Sequence, residues 1–345
     1  MRLSRRSFLG HSVTGISALP LLASTTALSA QASGTKSMGK AKFVNIDGIR
    51  TRYFEGGAGE NIVFVHGGHF GNTTSAARWI SIFPSVAAQF HVYAVDKLGM
   101  GLTDNPLSDE GYSMRATVQH IYRFLETLGI DQVHLVGHSR GGLPVGRIAT
   151  DHPAMVKTVT IVDSNTIAPG DPGLSSPNLP PAGPPPTKES IRQELLRSRG
   201  TFHKEFVTDE YVEALLEVRS HPKIREAALR LQLLRTRWVE KNTEKIRERP
   251  ALRNNSGSGW WMYEVKDETL DSIRAGHLKV PTLIIWGRND RTAPYQLGID
   301  LFEVVSKSVD RVQLHIFNQC GHYPYHDYPE EFVNLLVSFI EGAKG

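Results

Sequence analysis

The run with the most chemical potential in this chain is Gly137-His138-Ser139-Arg140-Gly141. A serine hydroxyl is a weak nucleophile and must be aimed from a tight turn at a base. Val133-His134-Leu135-Val136 before it has the apolar character of a buried strand, and a helix is expected after Gly142. The G-x-S-x-G spacing therefore falls where a strand breaks sharply into a helix. Glycines on either side relieve the crowding of that turn. The helix N-terminus then faces any oxyanion that develops beside the serine. Covalent catalysis by Ser139 is the expectation. A second glycine run, His66-Gly67-Gly68, follows the apolar stretch Asn61–Val65. The backbone N–H groups of Gly68 and Arg140 are the expected oxyanion donors. His66 precedes the serine and is expected to brace its loop rather than act as base.

On this kind of elbow the chain order is Ser, acid, His. Asn318-Gln319-Cys320-Gly321-His322 follows an apolar run and precedes the last helix, which makes His322 the expected base. His326, four residues on, reads as structural. Asp290, in Trp286-Gly287-Arg288-Asn289-Asp290-Arg291, is the expected acid, with Asp163 at the end of another strand as its rival. Its role would be to orient His322 and support the imidazolium. Asp96 also ends a strand but belongs to a glycine turn and reads as structural. The histidines show no ligand spacing, so no metal and no cofactor are expected.

These residues need elements to hold them. Apolar runs at Asn61–Val65, His91–Val95, Val133–Val136, Lys157–Val162, Thr282–Trp286 and Val312–Phe317 alternate with helical periodicity at Tyr112–Leu128, Tyr295–Ser306 and Pro329–Glu341. Fully apolar strands alternating with helices predict an α/β domain with a mostly parallel sheet covered on both faces. The alternation stops after Asp163. Pro169 to Pro186 holds eight prolines in eighteen residues, which no helix or central strand tolerates. Residues 188–262 then read as helices, and a helical lid inserted after the sixth strand is the simplest account. The expected layout is a core of 41–164 and 264–345, with a Pro-rich linker and lid over 165–263. Trp260, Trp261 and Tyr263, near the lid's end, could line an apolar pocket or pack the core.

Composition fits an ordinary globular chain, with 40% hydrophobic and 21% charged residues among 345. The single cysteine, Cys320, allows no internal disulfide. Residues 1–32 read as an export signal: Ser4-Arg5-Arg6-Ser7-Phe8-Leu9 matches a twin-arginine motif, and Ala30-Gln31-Ala32 offers a cleavage site. Residues 33–40 read as a flexible segment. Gly15 and Pro20 interrupt the apolar stretch between, so no stable membrane anchor is expected. The signal carries three arginines and no acid, so the net charge of +4 falls to +1 without it. With no basic stripe elsewhere, no nucleic-acid partner is expected. A periplasmic or secreted protein acting on a small molecule is the expectation.

Residues 42 to 343 resemble the α/β-hydrolases, and within them the meta-cleavage product hydrolases, which cut carbon–carbon bonds. The resemblance rests on Asp96-Lys97-Leu98-Gly99-Met100-Gly101-Leu102-Thr103-Asp104, the Asp290 and His322 motifs, and Phe206-Val207-Thr208-Asp209-Glu210 in the lid. It implies an α/β-hydrolase fold and a triad of Ser139, Asp290 and His322. It also implies substrate contacts at four positions where this chain departs from the family. His138 stands for the usual Asn and Tyr323 for the usual Trp. Leu215 stands for the Arg that holds a dienoate carboxylate, with Arg219 one turn later, and Ala77 for a polar Asn. On those departures the expected reaction is hydrolysis of a small, partly apolar ester through an acyl-enzyme on Ser139. Carbon–carbon hydrolysis of a vinylogous diketone is the alternative, and a non-catalytic binding protein the alternative of another class.

Overall fold

The computed structural model describes residues 38–170, 185–249 and 259–344, with the side chains of 259–263 excepted. The export signal, most of the flexible segment, most of the Pro-rich linker and the three aromatic residues of 260–263 lie outside what is described.

Eight strands form one sheet: β1 (Lys42–Ile46), β2 (Ile49–Gly56), β3 (Asn61–Val65), β4 (His91–Val95), β5 (Val133–His138), β6 (Val156–Val162), β7 (Thr282–Gly287) and β8 (Val312–Phe317). Their order is β1-β2-β4-β3-β5-β6-β7-β8, antiparallel at β1–β2 and β2–β4 and parallel from β4 to β8. Strands β3, β5 and β7 are almost wholly buried, as parallel strands under helices must be. The helices of the core and lid are α1 (Phe83–Ala87), α2 (Met114–Thr127), α3 (Gly142–Asp151), α4 (Lys188–Arg197), α5 (Asp209–Arg219), α6 (Pro222–Lys241), α7 (Thr243–Glu248), α8 (Gly259–Arg274), α9 (Gln296–Val305), α10 (Pro324–Asp327) and α11 (Pro329–Gly342). Among the described helices none is long and apolar enough to cross a membrane.

Two apolar layers flank the sheet. One gathers Val63, Leu135, Phe124, Ile148 and Trp286 beneath α2, α3, α8 and α9. The other gathers Phe64, Val136, Trp79, Phe332 and Phe339 beneath α1 and α11. A third, smaller cluster of Ile191, Leu195, Phe206, Tyr211, Val212 and Leu215 seats the lid on Ala77. The lid helices α4 to α7 follow β6, where the insertion was expected. The expected return to the core at 264 falls inside α8, which runs through 259–274 unbroken.

The parallel strands place their C-terminal ends on one edge, where ligand sites of open α/β sheets form. Gly67 follows β3, Ser139 follows β5, Asp163 follows β6 and Asp290 follows β7. Four separate stretches of sequence thus meet above one sheet edge.

Candidate active site

Ser139 sits at φ +52, a left-handed conformation that a residue with a side chain rarely adopts. Two glycines permit it. A Cβ on Gly137 would lie 2.4 Å from the Gly141 carbonyl oxygen, and one on Gly141 would lie 2.2 Å from the Val65 oxygen. The turn is therefore too tight for any side chain at either position. It tips Ser139 out of β5 into the short turn Ser139–Gly141 that opens α3. Gly67 lies directly opposite, where its added Cβ would meet Ser139 Cβ at 2.8 Å. Gly68 has φ +75, and its carbonyl accepts from Lys97 Nζ at 2.9 Å.

The His322 ring donates from Nδ1 to Asp290 Oδ2 at 2.6 Å. Asp290 Oδ1 accepts from the Thr292 backbone N–H at 2.7 Å, so the carboxylate is held from both sides. That bond fixes the tautomer: Nδ1 carries the proton and Nε2 is left to take one. The loop carrying His322 is tied to the base of the lid. His322 N donates to the Gly200 carbonyl at 2.8 Å. Asp327 accepts from the backbone N–H groups of Phe202, His203 and Gly321 at 2.7, 2.9 and 2.9 Å.

Asp163, the rival acid, is also at the site. Its Oδ1 accepts from Gly287 N at 2.9 Å, and its Oδ2 has no hydrogen-bond partner. Burial, and then the charge of Asp290, push its carboxyl well above the usual range. A neutral acid cannot support an imidazolium, so the geometry favours Asp290. Asp163, Asp290 and His322 are also the one group, among the described residues, whose ligand atoms converge as a metal site would, all within 4.8 Å. Their spacing is already explained by the Asp290–His322 hydrogen bond.

His66 braces its loop as expected. Its Nδ1 donates to the Gly67 carbonyl at 2.7 Å and its Nε2 accepts from Lys97 N at 3.1 Å. Burial and the nearby Lys97 hold it neutral, down to about 3. Asp96 is structural too, accepting from Ala76 N at 2.7 Å and Leu102 N at 2.8 Å.

Three expected substrate contacts need correction. His138 is buried with both nitrogens engaged: Nε2 donates to the His322 carbonyl at 2.7 Å and Nδ1 accepts from the Tyr325 hydroxyl at 3.2 Å. It positions the base from beneath. Leu215 packs in the fully buried lid cluster with Ala77. Arg219 is turned away into a bidentate pair with Glu194 on α4, at 2.6 and 2.8 Å. Tyr323 does stand at the site, with its ring 5.1 Å from those of both His322 and His138.

Sequence reading missed Arg78 altogether. It lies on the short helical turn Ala76–Trp79, fixed at its start by Asp96, with its guanidinium 4.9 Å from the Tyr323 ring. No motif contains it; only the tertiary fold brings it beside Tyr323. A cleft of about 560 Å³ lies nearby between the lid base and the turn after β7; its lining includes Asp290 but neither Ser139 nor His322.

Comparison with known proteins extends this picture. The alpha/beta hydrolase fold family matches residues 60–329. A 2-hydroxymuconate semialdehyde hydrolase of Pseudomonas sp. strain CF600 is 29% identical over 298 residues, covering 86% of this chain and 92% of its own. A 2-hydroxy-6-oxononadienedioate/2-hydroxy-6-oxononatrienedioate hydrolase of Cupriavidus pinatubonensis is 28% identical, covering 88% and 96%. Among solved structures, a meta-cleavage product hydrolase from Pseudomonas fluorescens superposes with a TM-score of 0.64 at 24% identity, covering 88% of this chain and 98% of that one.

Proposed function

The chain belongs to the alpha/beta hydrolase fold family and is a hydrolase, and from that premise we propose that it cleaves the carbon–carbon bond beside the ketone of a conjugated keto-dienoate. The ester expected from the sequence becomes the second reading. The observation that carries the proposal is a fixed Asp290–His322 pair, bonded at 2.6 Å, at the same sheet edge as a serine held at φ +52. Support for the substrate class comes from relatives matched over nearly their whole length, one named for a 2-hydroxymuconate semialdehyde and one for 2-hydroxy-6-oxo-dienedioates.

Each residue has a task. The dienol form of the substrate gives up its enol O–H proton and takes a proton on carbon, becoming a neutral vinylogous diketone. Ser139 Oγ attacks the ketone carbon while His322 Nε2 accepts the hydroxyl proton. The N–H groups of Gly68 and Arg140 stabilise the oxyanion. Collapse breaks the carbon–carbon bond. The electron pair leaves into the conjugated carbonyl, and the imidazolium returns the proton. Water, deprotonated by His322, then releases the acyl group as a carboxylic acid. Asp290 supports the imidazolium in both halves.

The ester reading keeps one observation in its favour: Leu215 and Ala77, at positions where the family carries polar groups, are apolar and pack together. A direct test is to mix the protein with a 2-hydroxy-6-oxo-dienoate and follow loss of its dienolate absorbance. Appearance of one carboxylic acid and one enol fragment in equal amounts supports the proposal. An unchanged chromophore, with aryl esters hydrolysed, reverses the order of the two readings. For location, we propose export by the twin-arginine route.

A further inference from the structure

Carbon–carbon cleavage of a dienoate needs a cation for the substrate carboxylate. Neither Leu215 nor Arg219 supplies one, since the first is apolar and the second is paired with Glu194. Arg78 is a cation of the opposite kind. It ion-pairs with no carboxylate among the described residues, and its buried Nε has no hydrogen-bond partner. Its guanidinium faces the rings of Tyr323 and Tyr211 instead, at 4.9 and 5.9 Å. A half-buried charge with no carboxylate partner is costly, and aromatic faces offset only part of that cost.

Two more orphaned polar atoms lie at the same place. The Tyr211 hydroxyl, on lid helix α5, has the Arg78 guanidinium as its polar neighbour but no hydrogen bond of good geometry, and His326 Nε2 has none either. The Tyr211 and His326 rings are 5.5 Å apart, and the His326 ring is 5.7 Å from that of Tyr323. His326 Nδ1 is engaged by Ser81 Oγ at 2.7 Å. With Ser81 donating, Nε2 carries the proton and donates in turn. Burial and the nearby Arg78 keep this ring neutral. Guanidinium, phenol and imidazole therefore cluster as three groups able to donate, with no carboxylate among them, and a substrate carboxylate can accept from all three.

We propose that Arg78, Tyr211 and His326 form the carboxylate-binding subsite, with the anion received from the core side rather than by a lid arginine. This rests on the keto-dienoate reading and deepens it. Tyr323 spans the distance between the two ends of the site: its ring is 5.1 Å from His322 and 4.9 Å from Arg78. The same ring thus borders both the base and the proposed anion site. Because Tyr211 is on the lid, an anion bound there also links lid to core.

The test uses binding, so it does not depend on which bond the enzyme cuts. Sodium sorbate, a plain hexa-2,4-dienoate, and its uncharged methyl ester are titrated calorimetrically into the native protein and into Arg78→Met, Arg78→Lys and Tyr211→Phe. Sorbate should bind the native protein and weaken about 10- to 100-fold in Arg78→Met, the loss expected for a charge-assisted hydrogen bond. Arg78→Lys should recover most of that affinity, Tyr211→Phe should lose several-fold, and methyl sorbate should be indifferent to all three. Failure of sorbate to bind the native protein overturns the subsite. Equal weakening of acid and ester in Arg78→Met overturns it too, because that is a packing defect. If Arg78→Met does not fold, the Lys and Phe variants decide on the same criterion. Arg78-dependent sorbate binding without cleavage of a keto-dienoate would refute the reaction and leave the subsite standing.

Discussion

Asp290→Asn and Asp163→Asn separate two carboxyl groups that the fold places side by side. In the native site Asp290 accepts from His322 Nδ1 at 2.6 Å and from Thr292 N at 2.7 Å. An asparagine keeps one oxygen. If that oxygen stays on Thr292 N–H, the amide N–H₂ faces Nδ1 and forces the other tautomer, with the proton on Nε2. Ser139 then meets a donor instead of a base. The imidazolium also loses its counter-charge. A loss of about 10⁴ in kcat is expected, or ~5.4 kcal/mol of barrier. Asp163→Asn replaces a carboxyl already held neutral by burial and by Asp290. Its oxygen can still accept from Gly287 N, so the expected loss is under about tenfold, or ~1.4 kcal/mol. The two variants also differ in stability. The folded protein holds the Asp163 proton above its ordinary value of 3.8, where the unfolded chain has released it. Native stability therefore falls as pH rises from there toward the raised folded value, and Asp163→Asn should remove that decline. Steady-state kinetics and melting temperatures in acidic and mildly alkaline buffer measure both effects. A dead Asp163→Asn beside an active Asp290→Asn would refute the assignment.

Further outcomes follow from the same contacts. His138→Ala removes the donor to the His322 carbonyl and should lower kcat about 10- to 100-fold with KM little changed; an unchanged kcat would show that His322 needs no such support. Arg219→Ala breaks only a partly exposed pair with Glu194, so it should cost under ~1 kcal/mol of stability. It should also alter kcat/KM for any substrate less than about twofold, and a large KM effect would return Arg219 to the substrate's side. Replacing Arg5 and Arg6 by Lys should leave unprocessed, active protein in the cytoplasm, as fractionation and mass measurement would reveal; normal export would exclude the twin-arginine route.

The elbow was legible because its chemistry is local. Gly137, Ser139 and Gly141 are fixed by contacts within a few residues and one neighbouring strand, and such constraints leave a spacing in the sequence. His322 was legible for a related reason, since it closes a short loop between β8 and α10. The choice between Asp290 and Asp163 was harder. Both end adjacent parallel strands, and only the direction of the His322 hydrogen bond and the shift at Asp163 separate them. The lid was read correctly in position but not in contacts. Leu215 and Arg219 fall one turn apart on α5, yet the longer side chain swings to Glu194 on another helix, which spacing along one helix cannot show. His138, beside the nucleophile, looked like a substrate contact until the fold placed the His322 carbonyl above its ring. Arg78 left no trace in the sequence, because its partners come from 133 and 245 positions further along, at Tyr211 and Tyr323.

We propose that Ser139 breaks a carbon–carbon bond beside a ketone. The most direct measurement is kcat/KM of the native enzyme for a 2-hydroxy-6-oxo-6-aryl-dienoate and for an aryl ester of the same acyl group, repeated with Ser139→Ala. A preference for the keto-dienoate of at least about tenfold is expected, with a fall of about three to six orders of magnitude for that substrate in Ser139→Ala. A preference for the ester, or undiminished cleavage of the keto-dienoate without the serine hydroxyl, would contradict it.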